Sequence, residues 1–303
     1  MLYPFAKRSN PPKPVRGIHG WTAFLALALG AGFGCDSGSR GKDASPTTSQ
    51  QMAQVAVRMD LPSGGAPSVS VLAFRAEAVD VAATDVLGAV DPLVVAAPES
   101  SCELRDVAGT ARMMRTQGGS VNLQELSGVT LQISADKSLL PAPRVYPPLA
   151  EVVGGVIAEA GPVDLEQLPE GLTLAFPTTT DERAAVKLSL PNAPSVSDSS
   201  EALLDAHTAM SMKGDLVLRL SGPPRTFLEI RPFGAPSAIA CAVSSGGWVV
   251  VPHDLLTKLV ATAGHAPVSF EAVWRENRTV QAGSETMRIS FEARSSAVLE
   301  LRP

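Results

Sequence analysis

The sequence predicts a mostly β chain: two tandem Ig-like, antiparallel β-sandwich domains, with one short helix in the second, behind a signal peptide and a disordered tether. Three observations lead there. Short segments alternate apolar and polar residues with a period of two. Glycine and proline, 25 of each, punctuate these segments. Only one stretch has helical spacing, and short alternating strands with few helices indicate sandwich packing.

The leader comes first. Lys7, Arg8, Lys13 and Arg16 precede an apolar or small run from Trp21 to Phe33. That run is shorter than the ~20 apolar residues a membrane-spanning helix needs. A basic start, a short apolar stretch and small residues at its end describe a secretory signal peptide over residues 1–34. The end, "AGFGC", resembles the lipobox of bacterial lipoproteins, and that resemblance implies lipid attachment at Cys35. It departs from the usual pattern at Gly32 and Phe33, where lipoboxes favour Leu and then Ala or Ser. Two other readings stay open: cleavage after Gly30 with Cys35 left as a free thiol, or an uncleaved anchor. Residues 35–52 begin "CDSGSRGKDASPTTSQQ", which has no large apolar side chain to bury and reads as a flexible tether.

The first sandwich is expected over 53–192. "QVAVRMDL" alternates Val55, Val57, Met59 and Leu61 with Gln54, Ala56, Arg58 and Asp60, the pattern of a half-buried strand. "PSGGAPS" is a turn, and "VSVLAFRAE" returns with the same period. "GVTLQIS", "GLTLAF" and "AAVKLSLP" read as further strands, while the apolar stretch from Val79 to Ser101 has too weak a period to assign. "PNAPSVSDSS", polar and rich in Pro and Ser, is the expected domain boundary.

The second sandwich is expected over 198–303. "DLVLRLSG" and "TFLEIRPF" are expected to pair as a hairpin across the Gly-Pro-Pro turn. "VSSGG" reads as another hairpin turn, ahead of "GWVVVP". In "HDLLTKLVATAG", Leu255, Leu256, Leu259 and Val260 share a helical face, Asp254 sits in the first turn, and Gly264 marks the stop. The chain closes with strands that turn Phe270, Ala272 and Trp274, then Met287, Ile289 and Phe291, inward.

The layout resembles a group of secreted β-sandwich lipoproteins of unknown function from gliding, predatory soil bacteria. The similar points are "CELRDVAG", "YPPLAEVVGG", "GDLVLRLSG", "CAVSSGGWVVVPHDLL" and "RTVQAGSETMRISFEA". The resemblance implies a fold and an envelope address, not an activity.

Charge excludes some partners. The chain has 25 basic and 30 acidic side chains, and four of the basic ones lie in the leader. The remainder is acidic, which argues against nucleic acid and against peripheral binding to anionic lipid. Export would place Cys102 and Cys241 in an oxidising compartment, where they are a candidate disulfide stabilising by roughly 4 kcal/mol on the chain-entropy model. The alternative is two separate buried thiols.

The chemistry-bearing residues are sparse. His207, His253 and His265 show no metal-ligand spacing, so no metal and no cofactor are expected. His253 with Asp254 reads as a helix cap rather than half of an acid–base pair. Asp181 and Glu182 lie in a polar loop, and "NRT" at Asn277 is a sequon of the kind that arises by chance. Trp248 and Trp274 lie in strand patterns and are expected in the core, whereas Tyr146, in "RVYPPL", is expected in a loop. No catalytic residue is assigned. The reading is a non-enzymatic cell-envelope lipoprotein, attached to the membrane by its lipid, with an envelope protein as partner. The alternatives are a surface-anchored hydrolase with a triad dispersed over loops and a weak carbohydrate-binding module.

Overall fold

A computed structural model describes residues 49–79, 90, 98, 101–106, 119–149, 153–177, 183–189, 192–198, 202–204, 210–211, 213–235, 237–243, 246–263, 267–282, 285–299 and 301–302. The leader, Cys35, most of the tether, His207, His265, Asp181 and Glu182 lie outside them. Residues Ser45–Pro303 form one compact unit. The chain is mostly β, as its alternation predicts, with several sheets and one long helix among the described residues.

The centre is a ten-stranded sheet. Its middle is built from two long hairpins, β1 (Ser49–Pro62) with β2 (Ser68–Val79) and β17 (Val268–Ala282) with β18 (Glu285–Leu299). The hairpins join through a parallel pairing of β1 with β18, in which Ala56 faces Ser290 and Arg58 faces Glu292. Beyond β17 the sheet continues through β14 (Phe227–Pro232) and β15 (Ser237–Cys241) to β3 (Cys102–Asp106). Beyond β2 it continues through β4 (Ser120–Glu125) and β8 (Val153–Asp164) to β7 (Ala142–Leu149). The β4–β8 pairing is also parallel, so the sheet is not purely antiparallel.

Two smaller sheets cover one face of this sheet, here the front. At one end lie β5 (Thr130–Gln132), β6 (Ser138–Leu139), β9 (Gly171–Pro177) and β10 (Arg183–Ser189). Their Leu131, Leu172, Leu174 and Phe176 meet Val55, Val57, Met59, Met287, Ile289 and Phe291 in one core. At the other end, β11 (Ser195–Ser197), β13 (Leu216–Ser221), β16 (Trp248–Val251) and helix α1 (His253–Ala263) enclose a second core. There Leu218, Leu220, Leu256 and Leu259 pack on Leu228, Ile230, Phe270 and Leu299. Both cores use the same face of β18, which turns Met287, Ile289, Phe291, Ala297 and Leu299 forward, while Ser290, Glu292 and Arg294 on its other face are buried as well.

This architecture corrects several expectations. Two tandem sandwiches over 53–192 and 198–303 would keep their strands apart. Instead β1 lies between β2 and β18, and β3 pairs with β15, so both segments build one sheet. The polar stretch expected as a linker contains β11, paired to β13 through Val196 and Leu220. The expected hairpin of "DLVLRLSG" with "TFLEIRPF" is an arch: β13 enters the three-stranded sheet and β14 the ten-stranded one. Their apolar faces stack across the second core instead of lying side by side. "VSSGG" likewise separates strands of different sheets, and Gly247, at φ +83°, passes so near Leu220 that a Cβ there would lie 2.6 Å from its carbonyl oxygen. Tyr146 stands on β7 rather than in a loop.

Candidate functional site

The back face of the sheet carries the even-numbered positions of β1 and β2. The sequence reads Gln54, Ala56, Arg58 and Asp60 as the wet side of a half-buried strand. Gln54 is in fact buried and the rest are partly covered. Neighbouring strands add Glu229 and Arg231 from β14, Glu271 and Arg275 from β17, and Glu292 and Arg294 from β18. Strand pairing sets their order. Arg275, Glu292 and Arg58 stand in one row, and Arg294 and Asp60 in the next.

The result is an interlocked set of ion pairs. Arg275 Nε donates to Glu292 Oε2 at 2.8 Å, Arg58 Nε donates to Glu292 Oε1 at 3.3 Å, and Arg294 also donates to Glu292. Arg294 Nη1 reaches across to Glu271 Oε2 at 2.7 Å, and Arg231 Nε donates to Glu229 Oε1 at 2.8 Å. Glu229 and Glu271 sit directly opposite each other, and Arg294 stands between these like charges. Burial works against the charged form of Glu292, but the Arg294, Arg275 and Arg58 guanidiniums together outweigh it and hold its carboxyl well below the usual range. Burial wins at Glu229, whose carboxyl is pushed up, and at Asp60, despite Arg58 and Arg294 nearby.

Beside this set lies a cleft of about 290 Å3. Its floor is paved with small side chains, Ala56, Ser70 and Ser290, from three adjacent strands. The depression reaches Val57 and Val71, whose side chains belong to the front core, so its base is main chain. Leu72, Ile157 and Val90 give it an apolar wall, completed by the ring of Tyr146, whose hydroxyl donates to the Val90 carbonyl at 2.8 Å. Two opposed ion pairs border it. Arg58 with Glu292 lies on the buried side, and Arg144 Nη1 donates to Glu159 Oε2 at 2.6 Å on the solvent side.

Of the residues singled out in the sequence, Tyr146 lines this cleft, and the other described ones fall elsewhere. Cys102 and Cys241 are bonded, with S–S 2.04 Å and Cα atoms 4.0 Å apart, because β3 and β15 place them opposite each other. His253 opens α1, its N–H donating to Asp215 Oδ1 at 2.9 Å, and its ring lies 3.5 Å from the Thr257 hydroxyl. Trp274 packs edge-on against Phe291, centroids 5.7 Å apart. Trp248 corrects the core expectation. It is only half-buried on the outer face of the three-stranded sheet, and the Arg219 guanidinium lies 5.7 Å over its ring. Val217 and Val250, paired on the same face, are exposed.

Among the described residues no helix is long and apolar enough to cross a membrane, and no three His, Cys, Asp or Glu side chains are grouped to hold a metal ion. Compared with protein-family models, curated proteins and solved structures, the chain matches none.

Proposed function

We propose that the chain is an exported lipoprotein of the bacterial envelope, acylated at Cys35, whose β-rich body binds or scaffolds another envelope protein and turns over no substrate. One observation carries the non-catalytic reading. Among the described residues, the densest group of acids and bases is a set in which Glu229, Glu271 and Glu292 are held by arginines. Arginine does not give up its proton in proteins, and a carboxyl held as low as Glu292 is a poor general acid. The set is suited to framing a surface. The outer face of the three-stranded sheet supports the protein partner: Val217 and Val250 beside the Arg219–Trp248 stack have the aromatic and arginine composition of interface centres.

Three measurements test the proposal. Mass spectrometry of membrane-fractionated protein is expected to show a diacylglyceryl group on Cys35, and a soluble form beginning at Ala31 would overturn the anchor. Crosslinking in intact envelopes is expected to capture one partner, with capture reduced at least tenfold by Val250→Glu. A hydrolase substrate panel is expected to show no turnover, and turnover abolished by His253→Ala would favour the hydrolase instead.

A further inference from the structure

From the back-face cleft we infer a binding site for a small zwitterion with an apolar side chain, of the size of a single α-amino acid. The site is distinct from the partner surface proposed above and does not depend on it.

Size sets the first limit. Ligand pockets commonly span about 300–1,000 Å3, and a cleft of about 290 Å3 takes a small guest. The floor sets the second. Ala56, Ser70 and Ser290 leave the sheet locally bare between Tyr146 on one side and the arginines on the other. A flat apolar side chain fits there, against Leu72 and Ile157.

Charge sets the third. The Arg144–Glu159 pair stands at the open rim, with side-chain exposures of 66% and 37%. A pair so exposed contributes only about 0–1 kcal/mol, so opening it costs little. A ligand ammonium on Glu159 and a ligand carboxylate on Arg144 would replace one exposed pair with two charge-assisted bonds over a sheltered floor. A ligand of a single charge would pair with one partner and strand the other. The buried Glu292 cannot substitute, because Arg58, Arg275 and Arg294 already hold it.

Titration calorimetry on the full chain in detergent tests this with L-phenylalanine, phenylalanine amide (cation only) and N-acetylphenylalanine (anion only). Phenylalanine is expected to bind, and each singly charged analogue to bind at least tenfold more weakly. Arg144→Ala is expected to weaken phenylalanine at least tenfold without weakening the amide, and Glu159→Gln to weaken phenylalanine without weakening the acetylated analogue. Ala56→Phe fills the floor and is expected to abolish the heat. Both rim residues are solvent-facing, so their variants keep the test valid if Ala56→Phe does not fold. Absence of heat with all three probes, an analogue matching phenylalanine, or unchanged binding in both rim variants would each overturn the site. Envelope crosslinking reads the separate partner surface, so the two failures are distinguishable.

Discussion

Arg294 lies among three carboxylates and is itself 5% exposed. Removing it takes away the guanidinium that Glu229, Glu271 and Glu292 share in a poorly solvated layer, leaving Arg231 on Glu229 and Arg275 and Arg58 on Glu292. Breaking a buried pair from one side typically costs about 3–5 kcal/mol, so Arg294→Ala should lower the denaturation free energy by that amount in urea titrations. Asp60 should behave the opposite way. Its carboxyl is raised on folding because burial penalises the anion, so it favours the fold while protonated and loses that contribution as pH rises through the raised value. Asp60→Asn should therefore gain stability relative to the parent at pH 7 and lose that advantage on acidification into the carboxyl range. Glu292 has the reverse sign. Its contribution is present at neutral pH and is lost only in strong acid, so Glu292→Gln should destabilise at pH 7. The alternation in "QVAVRMDL" and "RISFEAR" does reveal two faces. It does not reveal that the charged face is covered, because a solvated row of Glu and Arg and a buried interlocked row have the same period. Strand order decides between them, and strand order is set by residues more than two hundred positions apart.

Among single elements, α1 shows how local and distant signals divide. Its buried residues, Leu256 and Leu259, follow the helical period and were readable. The carboxylate that receives its first N–H, Asp215, lies 38 residues upstream and has no local signature. Asp215→Ala should cost about 1 kcal/mol, as loss of a capping oxygen does, read as a shift in the thermal midpoint. The strands were mostly legible, but their partners were not. A Gly-Pro turn between two alternating segments looks the same whether the chain folds back in one sheet or arches into another. In β8, Gly155 (φ +131°) would bring a Cβ to 2.0 Å from the Leu123 carbonyl oxygen. Gly155→Ala combines a disfavoured backbone with a main-chain clash and should destabilise by about 2–4 kcal/mol. The bond between β3 and β15 closes a separation of 139 residues. The paired Cys102→Ala and Cys241→Ala variant should lose about 2–5 kcal/mol, measured by denaturant midpoint.

For the molecule as a whole, the front face carries two separate cores on one shared sheet. That explains why the chain reads as two halves. Each half has its own apolar strands and covering sheet, and the polar segment between them has the composition of a linker. What composition does not show is that β1 lies between β2 and β18. Segments 53–192 and 198–303 produced separately should be insoluble or unfolded. The intact chain should unfold in one transition, coincident by near- and far-ultraviolet circular dichroism. Of the candidate cleft, the sequence contained the residues but not their convergence: Arg58, Tyr146 and Ser290 come from three strands whose places in the sheet no local pattern encodes.

The parallel seam between β1 and β18 also sets a clock. The two hairpins that flank it each close locally, but Arg58 meets Glu292 across 234 positions. The earliest of the described strands to leave the ribosome therefore keeps an open edge until β18 has been made. Contacts of such long range slow folding, because loop closure must precede any gain from pairing. An unfinished chain would present β1 as a bare template for the wrong neighbour throughout synthesis. Such a chain is poorly suited to folding as it emerges, and a holding chaperone that delays collapse until residue 299 is available would improve its yield.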